Sequence, residues 1–238
     1  MNRAMISAAS GMSMEEANLE QISENVANAD NPSYKASNTW FSALSSGLGA
    51  TIGGTRLDLT QGKLQKSGGP FDLAINGSGF FKVVAPNGDL AYSRLGDFSR
   101  TADGKMQNGQ GCTLVGVNLP ANASDVTVLG DGTIQATLDG HKNFTIGHIT
   151  LATFAAPEQL RQGGVKGIFT PTADSGPALD LRPGGETKIA FGMLEKSNIS
   201  IVESMLAMLA AQRAYEADSK GVQSADEMLR IANSLQKS

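Results

Sequence analysis

The sequence predicts a mixed α+β fold, with paired coiled-coil-like helices drawn from the N- and C-terminal ends and a central antiparallel β-rich domain. Three observations predict it. Apolar residues step by threes and fours near both ends, the spacing of one face of a packed helix. Between them the pattern changes to period two, as in Phe71, Leu73 and Ile75 alternating with Asp72, Ala74 and Asn76. Turn dipeptides recur through that middle region at intervals too short for crossover helices, which makes the sheet antiparallel. Residues 1–35 and 193–238 are expected to form the paired helices, 36–69 an extended connecting segment, and 70–192 the β-rich domain.

The first helix is expected from about Asn2 to Asn28, with a seam of Met5, Ala8, Met12, Glu15, Leu19, Ile22, Val26 and Ala29. Asn31-Pro32 stops it, because the residue before proline is pushed out of the helical region. The Ser/Gly-rich stretch Ser42–Gly54 follows, with Trp40, Phe41, Leu44, Leu48 and Ile52 as its apolar anchors. Strands are expected at Val83-Val84, Leu114-Val115, Val126–Val128, Thr133-Ile134 and Ile149–Leu151. Asn87-Gly88, Asp103-Gly104, Asp131-Gly132 and Asp139-Gly140 supply the turns between them. The Pro/Gly cluster from Pro171 to Gly185 marks the exit from this region.

The last helix is expected to start at a cap supplied by Asn198 or Ser200, with Glu203 favourably placed against the helix dipole, and to end near Leu235. Gly221 is its weak point, costing roughly 1 kcal/mol against alanine. Its seam reads Ile201, Met205, Met208, Gln212, Tyr215, Ser219, Val222, Asp226 and Leu229. About 35 residues of helix span ~50 Å, whereas a body of about 110 residues has a radius of gyration near ~13 Å. The helix therefore outreaches its own domain. Pairing with the first helix still leaves apolar shoulders at Val202, Leu206, Leu209, Met228 and Ile231, which call for helices of other subunits.

Composition excludes several functions. The chain of 238 residues has a formal charge of -4 and no basic block, so it lacks the positive stripe that nucleic-acid binding needs. One cysteine, Cys112, allows no intrachain disulfide. Ser, Gly, Glu15 and Glu16 interrupt any apolar run behind Arg3, so no cleavable signal peptide is expected. Polar residues fill the uncharged stretch from Ala36 to Thr55, so the chain is not expected to be membrane-inserted. His141 and His148 have no cysteine or carboxylate at ligand spacing, and Cys112 reads as a small apolar core residue. Gly77 and Gly79 suit a tight bend between strands. No nucleophile elbow, phosphate loop or dinucleotide fingerprint is present. No catalytic, cofactor-binding or metal-binding residue and no small-molecule substrate is expected. Asp97 and Asp103 are the one carboxylate pair that a glycan hydrolase reading could use, and both read as turn residues. A cytosolic coiled-coil adaptor is a further alternative.

Three blocks carry a family resemblance. Asn18–Asn28 followed by Pro32-Ser33-Tyr34-Lys35 resembles the N-terminal motif of bacterial flagellar rod and hook proteins. Phe71–Phe81, continued by Tyr92–Phe98, is similar to their central signature. Leu194–Ile199 and Gln212–Glu216 resemble the C-terminal motif. The resemblance implies a non-enzymatic structural subunit of the flagellar basal-body rod, the drive shaft crossing the periplasm. It implies terminal helices that pair and line the inner tube and a β domain that faces outward. The partners it implies are copies of this chain, other rod and hook subunits, and the flagellar type III exporter. The stretch between Trp40 and Gln61 is short for the distal-rod type and favours the proximal-rod type, although the Gln212–Glu216 motif suits either.

The expected assembly interface combines Met12, Leu19, Ile22, Asn25, Val26 and Asn28 on the first helix with Ile201, Met205, Leu209, Gln212, Arg213, Tyr215, Val222 and Leu229 on the last. For the seams the plain alternative is a core within one chain. Asn25 and Asn28 could equally serve as helix C-terminal residues or set register between subunits. Arg213 and Glu216 read most simply as a solvated face.

Overall fold

Two long helices bound the chain. In a computed structural model that describes residues 3–43, 49–138, 141–163 and 167–235, helix α1 spans Arg3–Ala27 and helix α2 spans Ile201–Leu235. Leu44, Leu48 and the Asp139-Gly140 turn lie outside the described residues. The chain divides into two compact units. One comprises Met1–Ala29, Ala36–Asp58 and Ile199–Ser238; the other comprises Asp30–Lys35 and Leu59–Asn198.

The helical unit holds α1, α2 and an antiparallel hairpin of β1 (Ser37–Ala43) and β2 (Ala50–Leu57). Within residues 36–69, expected as an extended connector, β1 and β2 pair with each other, while residues from Leu59 belong to the other unit. An isolated two-stranded hairpin is marginal in water, and α1 packs against both of these strands. Trp40 fastens the pair, its ring lying against the backbone of Gly53, where a Cβ would come within 2.4 Å of it, and Arg56 sits 5.1 Å over its centroid. Asn25 anchors the start of β1 as a neighbouring strand would: its Nδ2 donates to Ser37 O at 2.9 Å and its Oδ1 accepts from Ser37 N at 3.1 Å. Asn28 Nδ2 donates to Glu24 O at 2.7 Å, satisfying a carbonyl that the helix end leaves open. Both asparagines are buried and bonded within their own unit. These bonds show capping and anchoring within the chain.

The β-rich unit is antiparallel throughout. Its strands are β3 (Leu64–Lys66), β4 (Phe71–Asn76), β5 (Phe80–Val84), β6 (Leu90–Ser93), β7 (Asp97–Arg100), β8 (Lys105–Asn108), β9 (Thr113–Asn118), β10 (Ala123–Val128), β11 (Thr133–Leu138), β12 (His141–His148), β13 (Leu151–Thr153), β14 (Arg161–Gln162), β15 (Ile168–Thr170), β16 (Leu179–Leu181), β17 (Lys188–Phe191) and β18 (Met193–Glu195). The main sheet runs β14-β15-β6-β5-β9-β8-β7-β4-β17, with β13 pairing β5 and β16. Strands β10-β11-β12 form a meander, and β18 pairs β3. The turns at Asn87-Gly88, Asp103-Gly104 and Asp131-Gly132 are present, each with its glycine at positive φ. Two expectations need correction. Ile149 and Thr150 precede β13 rather than join it, and Ile149 N donates to Gly132 O at 2.8 Å. The Pro171–Gly185 stretch is not an exit: β16 lies within it and pairs with β13, and two further strands follow.

The core is aliphatic, as the scarcity of aromatics requires. Leu73, Ile75, Val83, Met106, Ile134 and Leu151 are fully buried in one cluster that also holds Cys112. Phe81 meets Phe98 edge to face at 5.5 Å, and Phe80 meets Phe169 likewise at 5.6 Å.

A buried charge cluster ties this unit together. Glu195 Oε1 accepts from Lys35 Nζ at 2.6 Å and from Gly62 N at 2.8 Å, while Oε2 accepts from Arg94 Nη1 at 3.3 Å. Lys35 Nζ also donates to Thr60 O, and Arg94 Nη2 to Gly77 O. Lys35 and Glu195 are closed to solvent and Arg94 nearly so. Burial pushes the Arg94 guanidinium below its ordinary value, and the Glu195 carboxylate opposes that shift.

Candidate assembly surface

Helices α1 and α2 pack together within their unit. Ala8 faces Gly221 and Gly11 faces Asp218, so the two run antiparallel. A Cβ at Gly11 would fall 2.3 Å from Asp218 Oδ2, which marks a close approach at that level. Ser200 begins α2, its Oγ accepting from Glu203 N at 3.4 Å, the arrangement expected of an S-x-x-E start.

The face that α2 turns inward includes only part of its expected seam: Met208, Ser219, Val222 and Asp226 are half-buried. Ala211 and Ala225 are buried, and Met208, Ala214, Asp218 and Val222 are half-buried. Small side chains let two helices approach closely, so α1 takes the alanine line. The bulky Met205, Leu206, Leu209 and Met228 stay outside. Of the seam expected to face α1, Ile201, Met205, Gln212, Tyr215 and Leu229 are exposed, as are Leu209 and Arg213. On α1, Met12, Leu19, Ile22 and Val26 are half-buried. The expected shoulders of α2 remain open: Val202 is 69% exposed, Leu206 62%, Leu209 52%, Met228 59% and Ile231 54%.

That is an unusual concentration of apolar surface for one helix. Single exposed apolar residues need no explanation, whereas contiguous patches mark interaction sites. Full burial of such a side chain is worth about 1.5–3 kcal/mol. Val202, Met205, Leu206 and Leu209 alone therefore represent a large unrealised stabilisation. No described helix is long and apolar enough to cross a membrane.

The remaining candidates are placed without a chemical site. Asp97 lies on β7 opposite Asp72 of β4, and its Oδ2 accepts from Gly109 N at 3.2 Å. Asp103 is exposed in the turn after β7. Thr133 Oγ1 and His148 Nδ1 lie 3.1 Å apart, and the side chain of His141 is outside the described ones. Among the described residues no three of His, Cys, Asp and Glu gather closely enough to hold a metal ion. Gly77 and Gly79 form the bend between β4 and β5.

Sequence reasoning missed the Lys35–Glu195–Arg94 cluster. A signal was available: the three charged residues sit one in each of the three motif blocks. Charges embedded in otherwise apolar or small-residue motifs call for partners.

Comparison with known proteins bears on this surface. The family model described as the flagellar hook protein FlgE/F/G D1 domain matches residues 74–136, and that of the flagellar basal body rod FlgEFG protein C-terminal region matches residues 191–235. The flagellar basal-body rod protein FlgG of Caulobacter vibrioides is 33% identical, covering 98% of this chain and 99% of its own length. The chain belongs to the flagellar basal-body rod protein family. FlgG of Borreliella burgdorferi is 32% identical over the whole of both chains, and FlgF of Mesorhizobium japonicum is 31% identical over 84% of each. The Borreliella alignment spans 265 positions against 238 residues here, so at least 27 positions of that relative have no counterpart in this shorter chain. The second family match covers the whole of α2, the helix that carries the open apolar stripe.

Proposed function

We propose that this chain is an axial building block of the flagellar rod, and that neighbouring subunits cover the outward stripe of α2 in a coiled-coil-like packing of terminal helices. The observation that carries the proposal is the exposure of Val202, Leu206, Leu209, Met228 and Ile231 after α1 has taken the opposite face. A helical shaft needs head-to-tail contacts that do not close on themselves, and an open stripe along a 35-residue helix supplies one. Family membership supports neighbours drawn from copies of this chain and from other rod or hook proteins. The basal body is the place of action, and export through the flagellar type III apparatus is part of the reading. The names of the relatives specify rod proteins and not a position along the shaft. The short Trp40–Gln61 stretch favours the proximal part, and the position of a labelled subunit along isolated rods tests that.

The decisive experiment replaces Leu206 and Leu209 together by aspartate in the full chain. Both are surface positions of the isolated subunit, so its unfolding free energy should move by no more than about 0.5 kcal/mol each. Rod assembly and motility should be lost with the protein still made. A variant that assembles normally would refute the proposal.

A further inference from the structure

The chain passes between the two units at four points: after residues 29, 35, 58 and 198. On the β-rich side of every passage, a residue no more than four positions away bonds to a member of the buried charge cluster or to Thr60, whose carbonyl Lys35 binds. Ser33 N donates to Glu195 O at 2.7 Å, and Lys35 Nζ donates to Glu195 Oε1 and to Thr60 O. Gly62 N donates to the same Oε1, and Asn198 Nδ2 donates to Thr60 Oγ1 at 3.1 Å. Arg94 joins from the central sheet and grips Gly77 O. We propose that Lys35, Arg94 and Glu195 form a positioning lock: they fix the roots from which the hairpin and both terminal helices depart, and so make the subunit competent to assemble, although none of them belongs to a helix.

The physics favours such a lock over a generic core contact. One carboxylate serves two buried cations and a backbone N–H, while each cation also binds a backbone carbonyl of another segment. Removing any partner leaves a charge in low dielectric without compensation, so the arrangement forms all together or not at all. A shift of one residue in any of the anchored segments would break it. An apolar contact tolerates sliding; this one does not. Gly62 adds a steric condition, since a Cβ there would fall 1.9 Å from Lys196 O. The roots are therefore specified by chemistry and by close packing.

The assembly arm of this inference rests on the rod reading; the exchange arm does not. Glu195→Gln and Lys35→Met are made in the full chain, and amide hydrogen exchange is compared with the wild type. Glu195→Gln leaves two cations without their counter-charge. Lys35→Met keeps the Arg94–Glu195 pair and remains informative if the first variant does not fold. Exchange at residues 33–36, 59–62 and 194–199 should accelerate on the order of 100-fold or more, with Leu73–Ile75 and Phe81–Val83 as protected as before. In cells both variants should be produced yet fail to build rods. Protected passages in both variants, loosening of core and passages together in Lys35→Met, or normal rods built from a subunit with loosened passages would each overturn the lock. If the wild-type gene itself does not restore rods to a strain lacking it, the rod reading fails, and the exchange result still decides whether the cluster holds the roots.

Discussion

At the scale of single residues, several polar side chains bind groups elsewhere in the same chain. Asn25 substitutes for a strand partner, Glu195 gathers three donors, and Asp97 accepts from Gly109. Asp97 also makes a pH-dependent prediction. Burial raises its carboxyl above the ordinary value, backbone N–H groups at Asp97 and Gly109 oppose that, and the neighbouring Asp72 adds to it. A carboxyl whose folded-state pKa lies above its unfolded value favours the fold most below the unfolded pKa. That contribution is lost as pH rises through the folded-state value. Asp97→Asn keeps an acceptor for Gly109 and removes the charge. It should flatten the stability profile on the acid side and leave stability at neutral pH equal or higher, as urea unfolding at several pH values would show. A marked loss at neutral pH would mean the ionised carboxylate is needed. The result also bears on the hydrolase alternative, since a catalytic Asp97 would be costly to replace in function and not in fold.

At the scale of elements, two glycines behave in opposite ways, and the structure says why. Gly96 lies where a Cβ would come within 1.6 Å of Leu73 O, a backbone atom that cannot swing aside. Gly221 lies on α2 with Ala8 Cβ 3.8 Å from the position of an added methyl, an ordinary contact. Gly96→Ala should therefore destabilise the β-rich unit by about 1–3 kcal/mol. Gly221→Ala should stabilise α2 by roughly 0.5–1 kcal/mol. Thermal or urea unfolding of the two variants checks both signs. The sequence foretold α1 and α2, which span enough residues to show their period, and the strands β4, β5, β9, β10 and β11, but not β1, β2 or β12. It was silent on β14, β16 and β18, which are two or three residues long and take their place from pairing partners distant in sequence. The choice of inward face on α2 was illegible for a different reason. Hydrophobicity ranks Met205 and Leu209 above Ala211 and Ala225, whereas close helix approach selects by size. The charge cluster was hidden because its members lie up to 160 residues apart in the chain.

At the scale of the whole molecule, the two units differ in what they leave unfinished. The β-rich unit has an aliphatic core and a buried charge cluster. The helical unit pairs its small residues and leaves its large ones outside, the reverse of what a self-sufficient unit would do. Under the proposed packing of neighbouring subunits, that imbalance has a purpose. The most direct measurement is a map of the assembled basal body at side-chain resolution. It should show Val202, Leu206 and Leu209 enclosed by helices of adjacent subunits, with Ala211 and Ala225 still against α1 of the same chain. Finding that apolar stripe bathed in solvent within an intact shaft would contradict the account.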